Sequence, residues 1–289
     1  MTETVYRKPF PGLVAFTIAF LSQWLGHTSW AFIRGVFGDY QEAASLVIGG
    51  VGAGLIWAGL KRGELAATWL GFLGALLIWV GWFEFTFEFY GNLFSIPAYA
   101  SPSGLPIMPG ATVLMATLPI MLALFLLYGL YNRQTKCNLI RWFHRNLRFD
   151  PGTPTPDNGR SFARVTALET LFVTWACYEF WLYVGYMFNN TVIMVAYAGW
   201  TSWAAYIFWK LTRIPRVAHS VRYGIPVGVV AWGVAEMPAH FGLYSEIWLR
   251  PFEYPVTNSV LLMVFIAGML YVARQPLKTP LASGVVNSP

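Results

Sequence analysis

Residues 67–90 read ATWLGFLGALLIWVGWFEFTFEFY, and they decide the class of the fold. No charged residue interrupts this stretch before Glu84. A helix of about 20 mostly apolar residues, rising 1.5 Å per residue, crosses the ~30 Å hydrocarbon core of a bilayer. The stretch is therefore long enough and apolar enough to form a transmembrane helix.

The composition of the whole chain agrees with this reading. Of its 289 residues, 56% are apolar and only 11% are charged, whereas a soluble domain carries about 25% charged residues. Aromatic residues make up 18%, as expected for a protein with much surface at the membrane interface. We therefore predict a single integral membrane domain over residues 1–289. Its expected partner is the lipid bilayer that surrounds it.

Hydropathy predicts an all-α, polytopic bundle of about eight transmembrane helices. The predicted spans are 11–31, 42–60, 67–90, 111–131, 165–187, 191–209, 224–243 and 256–273. The first apolar run has no small-residue cleavage motif, so we expect it to stay in the protein as a span. The two cysteines, Cys137 and Cys177, do not make a disulfide framework.

The basic residues predict the orientation of these spans. With spans placed as above, 17 of the 19 lysines and arginines fall on one side of the membrane, and only Arg34 and Arg250 fall on the other. The positive-inside rule then predicts that the N- and C-termini are cytoplasmic, in a cytoplasmic (inner) or plasma membrane. Because topology accounts for the net charge of +6, no nucleic-acid partner is expected.

The longest predicted cytoplasmic loop, 132–164, contains a second kind of helix. Within residues 138–149, Arg141, Arg145 and Arg148 share one helical face, and apolar residues lie away from it. This pattern is typical of an amphipathic helix that lies in the membrane interface.

Spans 1, 3, 5 and 7 run in the same direction, and each carries ionisable residues near its external end. These residues are His27, Glu84 and Glu88, Glu179, and Glu236 with His240. A charged side chain inside a bilayer costs several kcal/mol, so such residues are functional candidates by default. Their shared depth predicts a common site near the extracytoplasmic side.

The spacing of these residues favours a metal site. Glu84 and Glu88 are four residues apart, as are Glu236 and His240, so each pair lies on one helical face. Carboxylate and imidazole ligands suit iron or manganese and can suit zinc, while copper is less favoured. Di-metal helix bundles usually use Glu-x-x-His, whereas this chain has Glu-x-x-x-His. We expect all six residues to be candidate ligands of a divalent transition metal.

Simpler interpretations exist for each of these residues. Glu84 and Glu88 can lie solvated among lipid headgroups, and His27 alone is typical of an interhelical hydrogen-bond partner. Glu179 and Glu236 can share a proton as a buried pair of carboxyls. Glu246 and Glu253, in the predicted external loop, can be solvated or pair with Arg250.

Three functions fit the sequence. The first is a membrane-embedded, metal-dependent oxidoreductase, or the integral subunit of one, acting on a small or apolar substrate. The second is a cation- or proton-coupled transporter that uses the buried glutamates. The third is a non-catalytic subunit of a larger membrane complex. A histidine-box hydroxylase needs about eight histidines and a di-haem cytochrome needs four inside the membrane, whereas this chain has four in all and only two within the predicted spans.

Overall fold

The computed structural model describes residues 8–104, 106–135, 137–153, 155–156 and 159–273, without the side chains of Asn138 and Leu139. The structure is 78% helix and 2% strand, which confirms a helical fold. The helices are α1 (Phe10–Phe37), α2 (Gln41–Gly59), α3 (Glu64–Ile78), α4 (Phe85–Leu93), α5 (Pro109–Ala116), α6 (Leu118–Tyr131), α7 (Asn138–Asn146), α8 (Phe162–Met187), α9 (Asn190–Thr212), α10 (Val217–His240) and α11 (Pro255–Ala273).

Short irregular elements join some of these helices. A 3₁₀ turn (Gly38–Tyr40) links α1 to α2, and a π-helical segment (Trp79–Glu84) links α3 to α4. The pair α5 and α6 bends by 44° at Thr117, two residues before Pro119. Between α4 and α5, strands β1 (Tyr99–Ala100) and β2 (Pro106–Ile107) form a small antiparallel ladder.

Each stretch that the sequence predicts as a span contains a helix of the structure. By length and apolar composition, four helical segments of the described chain can cross a membrane: Phe10–Gly59, Glu64–Leu93, Asn190–Thr212 and Pro255–Ala273. The bent pair α5–α6 makes a fifth if it counts as one span. This finding supports a membrane protein. It identifies four or five candidate spans and leaves the predicted number of eight as a prediction. The long helices α8 and α10, which carry Glu179 and Glu236, lie outside that set.

Side-chain contacts show that α1, α3, α8 and α10 run in the same direction. For α1–α10 and for α3–α8, contacts advance together along both helices, and one contact joins the starts of α3 and α10. The contacts are Ala15 with Gly224 and Ala19 with Gly228 for α1–α10, Glu64 with Arg222 for the starts of α3 and α10, and Gly71 with Ala163 and Trp79 with Tyr178 for the α3 segment and α8.

The other long helices run the opposite way. Here contacts advance along one helix as they retreat along its neighbour. The contacts are Gly52 with Gly74 and Gly49 with Trp82 for α2, Phe125 with Phe172 and Thr117 with Glu179 for α6, Tyr197 with Val234 and Trp200 with Val230 for α9, and Phe10 with Tyr271 and Trp24 with Asn258 for α11.

This alternation gives the bundle two chemically different ends. Every described lysine and arginine except Arg34 and Arg250 lies at the end where α1, α3, α8 and α10 begin, which we call the basic end. The ionisable residues of the predicted site lie toward the other end, which we call the site end. The sequence prediction that these residues share one depth is consistent with this arrangement.

Close glycine contacts hold α2 against α3. A methyl carbon added at Gly52 would lie 2.6 Å from the carbonyl oxygen of Gly74, whereas one added at Gly54 would meet no atom within 4 Å. Small residues allow backbones to approach in this way, which is the usual basis of helix packing in membranes.

We expect Gly52→Ala to lower the free energy of unfolding by about 1–3 kcal/mol, because the added carbon forces α2 away from α3. Gly54→Ala, two residues away on the exposed face of α2, is the matched control and should leave stability unchanged. The measurement is the unfolding midpoint of the purified proteins in detergent. Equal midpoints for the two variants would contradict the close α2–α3 contact.

The alternating directions also predict membrane sidedness. In a chain with Cys137 and Cys177 replaced by serine, we expect Lys61→Cys, at the basic end, and Leu243→Cys, at the site end, to react with a membrane-impermeant thiol reagent from opposite sides. Leu243 is 78% exposed, and Lys61 lies in the exposed α2–α3 turn. Labelling of both positions from one side would contradict the topology.

Candidate functional site

The contact between α1 and α10 places His27 beside Glu236. A separation of 209 residues relates Ala15 to Gly224 and Ala19 to Gly228, and the same separation relates His27 to Glu236. His27 Nε2 lies 3.3 Å from Glu236 Oε1, and the two side chains are only 12% and 19% exposed. The register of two packed helices therefore creates the centre of the site.

Two aromatic side chains fix the His27 imidazole. The hydroxyl of Tyr178, from α8, lies 2.9 Å from His27 Nε2. Trp232, one turn before Glu236, donates its indole N–H to the same nitrogen at 3.2 Å, and its ring stacks on the imidazole with centroids 5.5 Å apart. Three helices thus converge on His27.

Glu84 reaches this centre from the end of the π-helical segment. Glu84 lies within electrostatic range of both Tyr178 and Glu236. A π-segment inserts extra backbone into a helix and shifts the phase of the residues that follow, and such segments occur frequently at functional sites.

His240 and Glu246 extend the cluster toward the site end. His240 Nδ1 lies 3.8 Å from Glu246 Oε1, and the charge of Glu246 also acts on His27 and Glu236. We call His27, Glu84, Glu236, His240 and Glu246 the five-residue cluster. Sequence reasoning treated Glu246 as solvated or paired with Arg250 and so missed it. One sequence signal could have identified Glu246. It lies in the short connection between α10 and α11, only six residues after His240.

Asn258, at the start of α11, positions the loop that carries Glu246. Its side-chain oxygen accepts a hydrogen bond from Trp24 at 2.8 Å. Its amide donates to the carbonyl oxygens of Ile247 at 3.0 Å and Tyr254 at 2.9 Å. One buried amide therefore ties the loop to α1 and α11.

Two predicted ligands have other partners. Glu88 Oε1 forms an ion pair with Arg34 Nη1 at 2.7 Å. Glu179 is 3% exposed, and its Oε1 accepts a hydrogen bond from Trp175 at 3.1 Å and lies 3.4 Å from the Thr117 hydroxyl. Glu88 lies within electrostatic range of Glu84, while the contacts of Glu179 lead to Thr117 at the start of α6.

Aromatic rings surround the centre of the cluster. Trp232 packs against Phe20 and Trp248, with centroid distances of 5.5 and 4.8 Å, and Tyr178 packs against Trp79 at 5.4 Å. Such walls keep the local dielectric low, so the charges of the cluster interact more strongly than they would in water.

The described residues contain no group of three or more His, Cys, Asp or Glu side chains arranged to hold a metal ion. His27 and Glu236 instead contact each other directly. As it stands, the contact between His27 and Glu236 can exchange a proton between an imidazole and a carboxyl group.

Comparison with known protein families, with curated protein sequences and with solved structures finds no match to this chain. The geometry of the cluster is therefore the basis for any statement about function.

The ion-pair contact between His240 and Glu246 predicts a pH dependence for the loop. The nearby His240 imidazole lowers the pKa of the Glu246 carboxyl below its ordinary value. A depressed carboxyl pKa stabilises the folded loop at pH values above the ordinary carboxyl pKa, and this stability is lost as the pH falls through the depressed value. We expect hydrogen-exchange protection of residues 243–249 to decrease on such acidification.

Glu246→Gln should reduce that protection already at neutral pH, because an amide cannot form the ion pair. Glu253→Gln, which removes an exposed carboxylate from the same loop, is the control. Equal protection of wild type and Glu246→Gln at neutral pH would show that the pair does not hold the loop.

Proposed function

We propose that this chain is an integral membrane protein of about eight spans whose functional centre is the five-residue cluster. In this proposal the centre binds a divalent transition metal and serves an oxidation–reduction reaction, in an enzyme or in the integral subunit of one. The observation that carries the proposal is the convergence of two imidazoles and three carboxylates at one end of the bundle.

The donor set fits such a metal. A site with two histidines and a carboxylate is characteristic of non-haem iron, and additional carboxylates favour iron or manganese over copper. His27, Glu236 and His240 are the residues that would hold the ion, with Glu84 and Glu246 in electrostatic range. The metal would supply redox and Lewis-acid chemistry when bound.

Neighbouring residues have supporting roles in this proposal. Tyr178 and Trp232 fix the orientation of the His27 ring through their contacts with Nε2. Asn258 keeps the Glu246 loop over the cluster. The aromatic rings around Trp232 exclude water and suit a small or apolar substrate. Under the positive-inside rule, that substrate approaches from the extracytoplasmic side.

A second function, cation- or proton-coupled transport, is favoured by a different observation. Helix irregularities stand beside two of the carboxylates in the cluster. The π-segment ends at Glu84, and Pro238 follows Glu236 by two residues. Because proline has no N–H, the carbonyl of Val234 lacks its helical partner, and the Tyr197 hydroxyl bonds it instead at 2.9 Å. Transporters often bind ions at interrupted helices.

Metal content separates the two functions. We expect purified wild-type protein to contain about one equivalent of transition metal or more. Glu236→Gln should lose most of it, because an amide oxygen does not compensate the charge of the cation, and loss of a supporting group alone typically costs 10–100-fold in affinity. Elemental analysis after dialysis is the measurement, with the exposed Glu253→Gln as the control.

Less than about 0.1 equivalent of any transition metal in active wild-type protein would eliminate the metal-dependent reaction, because a structural or catalytic ion must be present stoichiometrically. In that case the chain should be reconstituted in vesicles under a pH gradient. Proton flux that Glu236→Gln abolishes and Glu253→Gln preserves would support transport.

A further inference from the structure

Helix α7 lies against the end of α6, at the basic end of the bundle. His144 Nε2 lies 2.6 Å from the carbonyl oxygen of Gly129. Ile140, four residues earlier, is only 3% exposed and is the nearest side chain above Gly129. Because residues four apart share a helical face, Ile140 and His144 define the side of α7 that packs on the bundle.

The adjoining face of α7 carries unpaired positive charge. Arg141 and Arg145 are also four residues apart, and both are exposed. In the part of the chain that the structure describes, neither guanidinium forms an ion pair or a hydrogen bond. The nearest acidic residue along the chain, Asp150, instead accepts a hydrogen bond from the N–H of Gly152.

A large aromatic side chain borders this charged stripe. Trp142 follows Arg141 directly and is 49% exposed. Tryptophan prefers the level of the lipid headgroups, because its ring is apolar and its N–H is polar. Exposed arginines next to an exposed tryptophan on a short amphipathic helix are the pattern of a segment that lies in the membrane interface.

We propose that the exposed face of α7 binds the headgroup phosphates of anionic phospholipids in the leaflet at the basic end. Charge complementarity identifies the partner. Guanidinium groups bind phosphate oxygens in a two-point geometry, and basic segments beside a membrane are attracted to anionic leaflets. Arg164, exposed at the start of α8 and linked to Gln134 of the same region, adds to the positive charge.

This lipid site is independent of the five-residue cluster. The cluster lies at the site end, whereas α7 follows α6 at the basic end, so each proposal can fail without the other.

Lipid preference of the full-length protein tests the proposal. The protein is purified in detergent with an equimolar mixture of phosphatidylglycerol and phosphatidylcholine, and native mass spectrometry counts the lipids that stay bound. We expect the wild type to retain phosphatidylglycerol in preference to phosphatidylcholine. The double variant Arg141→Gln/Arg145→Gln should reduce that preference by about fivefold for each arginine removed.

Two further variants complete the test. Arg213→Gln/Arg216→Gln removes the same charge from the same end and should keep the preference. Arg141→Lys/Arg145→Lys keeps the charge of α7 and should retain most of it. A wild type without preference overturns the proposal, as does an α7 glutamine variant that equals wild type. An equal loss of phosphatidylglycerol preference in the Arg213/Arg216 control also overturns the proposal. The preference would then depend on the total positive charge at the basic end and not on α7.

Discussion

The parallel contact between α1 and α10 determines where the candidate site forms. Methyl carbons added at Gly224 and Gly228 would lie 2.9 and 2.5 Å from the Cβ atoms of Ala15 and Ala19, so only glycine allows this approach. Once the two helices lock in this register, His27 meets Glu236 three turns farther along. The small residues near the start of the helices thus fix the functional geometry near their ends.

Buried ionisable groups impose a second constraint, because a charge in an apolar interior is tolerated only with a partner. Most carboxylates of the described bundle have such polar partners, chiefly on other elements. The pairs are Glu64 with Arg222, Glu88 with Arg34, Glu169 with Thr135, Glu179 with Trp175 and Thr117, Glu236 with His27, and Glu246 with His240. Removing one member of a buried ion pair typically costs 3–5 kcal/mol, although the intact pair adds little net stability. These contacts therefore select one arrangement of the helices.

The sequence predicted the features that depend on hydropathy and direction. Apolar runs located the helices, and the asymmetry of lysine and arginine predicted the alternation that the contacts show. The rotation of each helix about its axis was not predictable from one sequence. For this reason the sequence did not show that Glu88 and Glu179 have partners outside the cluster. The four-residue spacing of Glu84 and Glu88 carries no information about the neighbouring helix, so it did not reveal that Glu88 forms an ion pair with Arg34 of α1.

Loop residues were the other weakness of the prediction. Glu246 looked like a solvated residue because hydropathy carries no information about tertiary contacts in a connection. Its position depends on Asn258, a polar residue inside a predicted span whose hydrogen bonds reach α1 and the loop. A polar amide within an apolar helix is a usable signal, since an amide in such a place must satisfy its donors and acceptor.

The separation of charge between the two ends makes the proposed functions physically coherent. Arg222 and Glu236 lie on the same helix, roughly 21 Å apart at 1.5 Å per residue. A cation that approaches the site end therefore meets carboxylates before it meets any of the clustered arginines. Both metal binding and cation transport need this condition. At the opposite end, the proposed lipid site would bring headgroup phosphates to Arg141 and Arg145, which have no acidic partner among the described residues.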